Sequence, residues 1–442
     1  MTALAARRFW WFVGGAVAVA VAVRLGYVAR STVPSEPGFL VSFDPIYYHR
    51  QALAVAHGHG FTAPYRSDGA PSADHPPLLV VVLALATKLG LGSWAAHRAL
   101  TAVIGAAVVP LLAVLGRRLA GARAGVVAAA LGAVAPVLWA NDGLLMPEPL
   151  YAVAVAAVLV VAHQVWDGDA PGGPWVAAAA LGALVALAGL ARGEGLLLGA
   201  FTVLPVALWA PALSGWRPRL GVVAVAAVTC GAVLAPWLAY NASRFEEPVL
   251  LSSSADSALA GASCDIVYAG PQVGSWNSDC FAALGSNQDL EESVFSARLR
   301  AHSRSYVRHH LADQPRVVSA RLGRLWGVFR VGQGVTLDEL QNRPGPVSWA
   351  SLVNLWVLVP VAVVGAVRLR WARRPVVLLA AMPVFVSVVA AGFYGNPRFR
   401  VPSDLALVVV AAVALASLGA RGREAPDQDA ERPGAGARPE RG

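Results

Sequence analysis

Acidic and basic residues stand at several points where long apolar runs of this chain begin or end. Asp44 opens the helical pattern in SFDPIYYHRQ, Glu148 lies in NDGLLMPEPLY, and Arg398 and Arg400 belong to YGNPRFRVP. A carboxylate can take the proton of a hydroxyl group as a general base. An arginine suits a phosphate because its guanidinium fork can bind two oxygens. Together, these residue types could transfer a group from a phosphate to a hydroxyl.

Each of these residues also has an ordinary structural interpretation. Asp44 followed by Pro45 is typical of a helix start, with the Asp as cap and the Pro at the first helical position. Glu148 can be a solvated acid or a helix cap at the mouth of an apolar run. The two arginines can simply lie at a membrane boundary.

Further polar candidates follow Asp44 in the same stretch of chain. His75 stands in ADHPPLL directly before an apolar run, and Arg66 lies upstream of it. Tyr48 suits a membrane interface and is counted with them as a candidate contact for a lipid phosphate. Lesser candidates are Lys88, Asp142, Arg192 and Glu194. Because Arg192 and Glu194 are two residues apart, they would not face each other on one helix.

Composition predicts an integral membrane protein. Hydrophobic residues make up 57% of the 442 residues and charged residues 14%, against about 25% charged residues in soluble domains. The net charge of +9 is almost all arginine, since Lys88 is the only lysine. These arginines stand at the ends of apolar spans rather than on a basic surface with exposed aromatics, which excludes a nucleic-acid partner.

The fold class expected from these patterns is an all-α polytopic membrane protein with about ten transmembrane helices. The predicted spans are 9–29, 95–116, 124–140, 149–165, 175–191, 195–212, 220–240, 347–367, 375–392 and 403–419. With both termini inside, the arginines of the short loops fall on the cytoplasmic side. The run from Leu78 to Leu91 is short and begins after two prolines, so we expect it to be re-entrant or interfacial.

Three segments then lie outside the membrane: 30–97, with interfacial helices, 141–148, and 241–346, a small extracytoplasmic domain. Residues 1–240 form the N-terminal transmembrane module and 347–420 the C-terminal helices. The tail, 421–442, is rich in Pro, Gly and charge, which predicts disorder. Apolar spacing in 289–325 predicts amphipathic helices.

Cysteine placement separates two environments. Cys230 lies in an apolar run and is expected to be a small core residue. Cys264 and Cys280 lie together in the polar 241–346 segment, where an extracytoplasmic location favours a disulfide over two free thiols.

The order of these motifs resembles the GT-C membrane glycosyltransferases, in particular the protein O-mannosyltransferases and the lipid A aminoarabinose transferases. The likeness rests on Asp44 after the first span, the turn HGHGF, and the two prolines that open an apolar run. It covers the first 165 residues best and returns in RGEGLLLG at 192–199 and YGNPRFRVP at 394–402.

The resemblance implies a glycosyltransferase that takes a sugar from a polyprenyl phosphate on the outer face of a bacterial plasma membrane, with inversion. Asp44 matches the family's catalytic base, and Glu148 matches a family acid that could orient the acceptor or assist Asp44. His75, Arg66, Tyr48, Arg398 and Arg400 are then candidates to bind the lipid phosphate. His75 stands where the aminoarabinose transferases carry Lys. The acceptor could be a protein, a lipid or a glycan.

A metal site is the weaker possibility. His57, His59, Asp74 and His75 could converge, and some members of the family bind a divalent ion. The family's usual acid after the first Asp is here Pro45, which removes a potential ligand. We therefore expect no essential metal and no cofactor beyond the lipid-linked sugar itself.

Two other function classes remain open from the residues alone. A transporter or flippase of a lipid-linked substrate would also need outward arginines, but it predicts paired repeats and broken helices in both halves, which the chain lacks. A non-catalytic scaffold acting through 241–346 would leave the shared side of Asp44, His75, Glu148 and Arg398 unexplained.

Overall fold

The computed structural model describes residues 3–35, 43–285 and 290–418. Within these ranges the chain is helical and has no strand, only an isolated bridge between Thr62 and Pro71. The α-helices are Ala3–Arg30, Phe43–Ala56, Leu78–Lys88, Trp94–Ala106, Val108–Val134, Pro136–Trp139, Glu148–Asp167, Gly173–Ala191, Leu204–Trp209, Trp216–Ala242, Ser254–Ala260, Asp265–Tyr268, Glu292–His309, Gln314–Leu325, Val331–Leu340, Gly345–Trp371, Val377–Gly392 and Val401–Leu418. The predicted disordered tail, 421–442, lies outside the described residues.

The apolar helices confirm a multi-pass membrane protein. Among the described residues, seven helical stretches are long and apolar enough to cross a bilayer, and three apolar helices are shorter. The longest stretch, Trp94–Val134, changes direction at Ala120 and Gly121, where Gly121 has a φ of 84° that favours glycine. This break falls in the predicted turn between spans 95–116 and 124–140. The count of ten crossings stays a prediction.

Small residues let the membrane helices pack closely. A Cβ atom on Gly182 would collide with the backbone of Ala226, and one on Gly365 with the backbone of Val410. Without a hydrophobic driving force in lipid, such close approach is a main source of helix association. It fixes Gly173–Ala191 against Trp216–Ala242, and Gly345–Trp371 against the last helix.

The helix Leu78–Lys88 has 11 residues, or about 16 Å of length, against about 30 Å of hydrocarbon. It is thus too short to span, in agreement with the sequence. Leu79 and Leu83 pack on Tyr47 and Tyr48 of helix Phe43–Ala56. Both tyrosines are buried in this contact, so Tyr48 is not the interfacial tyrosine that the sequence suggested.

The 241–346 segment is a cluster of short helices. Glu292–His309 and Gln314–Leu325 fall in the stretch where amphipathic spacing predicted them, and Leu299 and Val317 are among their buried residues. A disulfide joins Cys264 to Cys280, with the Cα atoms 5.3 Å apart. Arg321 donates to the Ala391 carbonyl over 2.8 Å, which ties the segment to helix Val377–Gly392.

Candidate active site

Arg398 is the centre of the candidate site. It lies in the 3-10 turn Pro397–Arg400, which the Asn396 side chain caps by accepting from the Arg398 amide over 2.9 Å. Its Nε donates to Glu148 Oε1 over 2.6 Å, and its NH1 lies 3.4 Å from Asp44 Oδ2. The structure therefore brings together three of the predicted site residues, which are far apart in the chain.

Glu148 is buried and binds a second arginine. Arg192 NH1 donates to the same Oε1 atom over 2.6 Å, while Arg192 Nε donates to Glu194 over 2.5 Å. Arg192 and Glu194 do face each other, contrary to the sequence expectation. The reason is local: Arg192 is extended, with φ −147° and ψ 124°, between two helices instead of inside one.

The short loop that carries Glu148 is fixed by buried arginines. Arg24 donates to Asp142 over 2.5 Å, and Arg98 donates to the Gly143 carbonyl over 2.8 Å. Asp142 is thus a structural residue rather than a substrate contact. The sequence held a signal for this pair, because Arg24 lies inside a predicted span, where a charge needs a partner.

Asp44 is more accessible than Glu148. Its side chain is 33% exposed, and His75 Nε2 lies 3.5 Å from its Oδ1. Burial raises the pKa of Asp44, but the neighbouring His75 and Arg398 lower it by more, so the net direction is below the ordinary value. Asp44 is therefore ionised at neutral pH, as a general base must be.

His75 is fixed between two aromatic rings. Tyr48 stacks on it, with ring centroids 4.9 Å apart and an 18° tilt, and Tyr47 meets it edge-on. Its Nε2 also lies 3.9 Å from Asp74. Burial lowers the pKa of His75, but the carboxylates of Asp74 and Asp44 raise it by more, and the net direction is upward. This favours an imidazolium beside Asp44.

The segment that carries His75 is anchored from two sides. Arg244 donates to the carbonyls of Phe61 and Ser72 over 2.6 and 2.8 Å. On the other side, Glu292 Oε1 accepts from the Ala73 amide over 2.8 Å. Sequence reasoning missed Arg244 and Glu292, because only the tertiary structure places them beside this loop.

Arg400 and Arg66 do not join the cluster. Arg400 is buried and donates to Asp404 and to the Leu325 carbonyl, both over 2.9 Å. Its predicted role at the lipid phosphate is corrected, because its side chain points into the protein and pairs with Asp404 of the last helix. Arg66 pairs with Asp68 and donates to the Leu290 carbonyl. Lys88 is exposed.

The described residues do not fit a metal centre. Across 3–35, 43–285 and 290–418, no three His, Cys, Asp or Glu side chains lie close enough together to hold an ion. His57 and His59 are exposed, and the cationic groups near Asp44 are His75 and Arg398. Independence from metal stays a prediction.

The fold is similar to that of a solved archaeal oligosaccharyltransferase. The archaeal oligosaccharyltransferase AglB from Archaeoglobus fulgidus, in complex with an inhibitory peptide and a dolichol-phosphate, matches with a TM-score of 0.57 and 15% identity over 95% of this chain and 51% of that chain. The same enzyme in complex with Zn and sulfate matches with a TM-score of 0.51 and 16% identity, over 93% and 49% of the two chains.

A third solved structure is ArnT from Cupriavidus metallidurans bound to undecaprenyl phosphate, with a TM-score of 0.46, 18% identity and coverage of 93% and 78%. The chain spans about half the length of the oligosaccharyltransferases that it matches. No family model matches the sequence, and no curated protein matches it. The comparisons thus establish the fold alone.

Proposed function

We propose that the chain is a membrane glycosyltransferase that moves a sugar from a polyprenyl phosphate to a hydroxyl group of an acceptor, with inversion. The observation that carries this proposal is the contact of Arg398 with Asp44 and Glu148 at the end of an apolar helix. A guanidinium there lies where a lipid phosphate would lie, and it adjoins an accessible carboxylate. The dolichol-phosphate in the oligosaccharyltransferase of the same fold agrees with such a donor.

Arg398 can bind the phosphate without leaving Glu148. Its Nε is engaged by Glu148 over 2.6 Å, whereas its NH1 contacts are 3.4 Å long and its NH2 contact, to Met146 Sδ, is 3.9 Å. Guanidinium N–H donors on that edge can therefore reach phosphate oxygens. Protonated His75 adds positive charge nearby, and Tyr48 holds its ring.

The reaction needs one base and a stabilised leaving group. The acceptor oxygen attacks the anomeric carbon from the face opposite the phosphate, and its proton passes to the Asp44 carboxylate. The bond between the anomeric carbon and the phosphate oxygen breaks, and the electron pair leaves with the phosphate, which Arg398 holds. No general acid is needed, in contrast to a glycosidase, because the phosphate leaves as an anion.

The contact between Asp44 and Arg398 has a further consequence for the base. A separation of 3.4 Å leaves no room for a sugar between the two groups, so the donor has to open it. When Arg398 turns to the phosphate, Asp44 loses a positive partner and its pKa rises toward the ordinary carboxyl range. A higher pKa makes a stronger general base, so donor binding activates the residue that removes the acceptor proton.

The proposed location is the outer face of a bacterial plasma membrane. The proposal is supported by the predicted topology, in which the arginine-rich turns lie inside and Asp44, Glu148 and Arg398 lie at the opposite ends of the spans.

The experiment is donor cleavage by purified protein in nanodiscs, using a panel of radiolabelled polyprenyl-phosphate sugars. Wild type should release polyprenyl phosphate from one donor class, and Asp44→Asn should fold but release it at least about 10²-fold more slowly. The matched control is Asp68→Asn, an exposed acid of the same segment, which should behave as wild type. Full activity in Asp44→Asn would remove the base from the mechanism.

A further inference from the structure

A cavity of about 310 Å³ lies beside the candidate site, between the helices Ser254–Ala260 and Glu292–His309 and the loop 57–77, here called the His75 loop. Asp74 belongs to its wall. The carboxylate of Asp74 is 3.9 Å from the Nε2 atom of His75, and the same nitrogen is 3.5 Å from Asp44. One imidazole nitrogen therefore lies close to both the wall of this cavity and the proposed base.

Hydrogen bonds between two segments of the chain hold the wall of the cavity in place. The amides of Ser253 and Ser254 donate to the carbonyls of Ala73 and Asp74 over 2.9 and 3.0 Å. Glu292, whose side chain also lines the cavity, is 8% exposed and accepts from the Ala73 amide. The 241–346 segment and the His75 loop thus form the cavity together.

Three of the four serine hydroxyl groups of the wall are already used as donors. Their protons go to acceptors inside the protein: Ser253 to Glu292 over 2.9 Å, Ser257 to the Ser254 carbonyl over 2.9 Å, and Ser296 to Asp256 over 2.5 Å. A hydroxyl has one proton and two lone pairs, so each of these oxygens has only acceptor capacity left. Together with the carboxyl groups of Asp74 and Glu292, they make a wall that accepts hydrogen bonds.

A wall of hydrogen-bond acceptors favours a ligand that is rich in hydrogen-bond donors. A phosphate offers acceptors only and would face two carboxyl groups, and no described lining residue is basic. A peptide carries a carbonyl for nearly every amide donor, and the hydroxyl protons of Ser253, Ser257 and Ser296 are already used, so they cannot serve these carbonyls. A carbohydrate supplies many hydroxyl donors, and its apolar C–H faces can pack on Phe281 and Phe295, which also line the cavity.

We propose that this cavity is the acceptor subsite and that the acceptor is a neutral carbohydrate. The term acceptor rests on the proposed function, whereas the preference for a neutral sugar rests on the cavity alone. Charge then separates the two substrates, because the donor phosphate goes to Arg398 and the acceptor goes to the acidic side. A volume of about 310 Å³ is at the lower end of ligand pockets and holds about one or two sugar rings.

The test uses a pair of neighbouring alanines. Ala282 lines the cavity and Ala283 does not, and both are exposed. Ala282→Trp should block the cavity, and Ala283→Trp is the matched control for folding and surface hydrophobicity. Binding of mannotriose, its singly phosphorylated form and a serine-containing hexapeptide is measured by saturation-transfer NMR on the full chain in nanodiscs.

We expect wild type and Ala283→Trp to bind the neutral trisaccharide, and Ala282→Trp to bind it at least about tenfold more weakly. The phosphorylated sugar and the peptide should bind more weakly than the neutral sugar. Equal sugar binding in the two tryptophan variants, or a preference for the peptide or the phosphorylated sugar, would overturn the proposal.

Donor cleavage, measured separately, distinguishes this inference from the proposed function. Cleavage without cavity-dependent sugar binding would reject the subsite and leave the enzyme. Cavity-dependent binding without cleavage of any donor would leave a carbohydrate site and reject the enzyme.

Discussion

Two carboxylates meet at Arg398, and their surroundings differ in almost every respect. Glu148 is 2% exposed and accepts from two arginines over 2.6 Å each, on a loop fixed by further buried arginines. Asp44 is 33% exposed, and its contacts with Arg398 and His75 are 3.4 and 3.5 Å long. The same functional group is thus held tightly in one segment and loosely in the other.

This difference assigns the two acids different roles. A buried carboxylate that binds two guanidinium groups holds them in place. If this carboxylate were lost, the two guanidinium groups would be buried charges without a partner. An accessible carboxylate with long contacts can exchange its partners for a substrate hydroxyl. We therefore propose Glu148 as a positioning residue and Asp44 as the catalytic base, in place of two catalytic acids.

The largest effect is expected from Asp44→Asn. The amide keeps the shape of the side chain but cannot take a proton, so kcat should fall by about 10²- to 10⁴-fold. The KM for the donor should change little, because Arg398 remains. Single-turnover transfer in nanodiscs measures this split. A rise in the donor KM with an unchanged kcat would assign Asp44 to binding and end the contrast with Glu148.

Arg398→Lys should come next. Lysine keeps the charge but loses the fork, so one group cannot hold Glu148 and reach the phosphate together. We expect kcat to fall by about 10²-fold, similar to the removal of one charge-stabilising donor. Arg400→Lys is the matched control in the same turn; it should lower the melting temperature while the folded protein keeps its kcat. An equal loss of kcat in both variants would show that Arg400 also acts at the site.

Glu148→Gln should have a smaller effect of a different kind. Gln keeps an oxygen that can accept from both arginines but loses the negative charge, so the guanidinium of Arg398 is held less firmly and the donor KM rises, with kcat down about tenfold. The pH dependence of kcat should stay that of wild type, because Glu148 transfers no proton. An acid limb that appears or disappears in the variant would show that Glu148 takes part in proton transfer.

The sequence predicted the parts of this site that depend on local pattern. An acid at a helix start and an arginine at the end of an apolar run are local features, and Asp44, Glu148 and Arg398 do lie together. The pairing of Arg400 with Asp404 is also local, at the i,i+4 spacing of a helix, and the sequence could have revealed it. The pairing of Arg192 with Glu194 was missed because the expectation assumed one helix through both residues, although the predicted spans 175–191 and 195–212 leave both residues in the turn between them.

Arg244→Lys should disturb only the surroundings of Asp44 and leave those of Glu148 intact. Arg244 reaches the carbonyls of Phe61 and Ser72 at once and lies over the Tyr240 ring at 4.4 Å, and lysine cannot make both bonds in that geometry. We expect His75 to be less ordered beside Asp44 and kcat to fall by about tenfold at most. Arg244 is a positioning residue, so the donor KM should hold, in contrast to Glu148→Gln. A donor KM that rises in both variants would mean that the two regions act as one.

The smallest effect concerns stability, and it shows what burial does to a carboxyl group without arginine partners. Glu292 is buried, and its hydrogen bonds come from the Ala73 amide and the Ser253 hydroxyl. Burial first, and then Asp74, raise the pKa of Glu292 from 4.5 to about 7. The folded protein then holds a proton that the unfolded chain releases, so wild-type stability falls as pH rises from about 4.5 to 7 and levels off above it.

Glu292→Gln removes this titration, because the amide stays neutral at every pH. The melting temperature of wild type relative to Glu292→Gln should therefore drop by a few degrees between pH 5 and pH 8, measured by thermal unfolding in detergent. Parallel melting curves across this range would mean that Glu292 is ionised throughout, like an exposed acid. A relative drop would support the general point that burial stabilises the neutral form of an acid unless cations such as those at Glu148 accompany it.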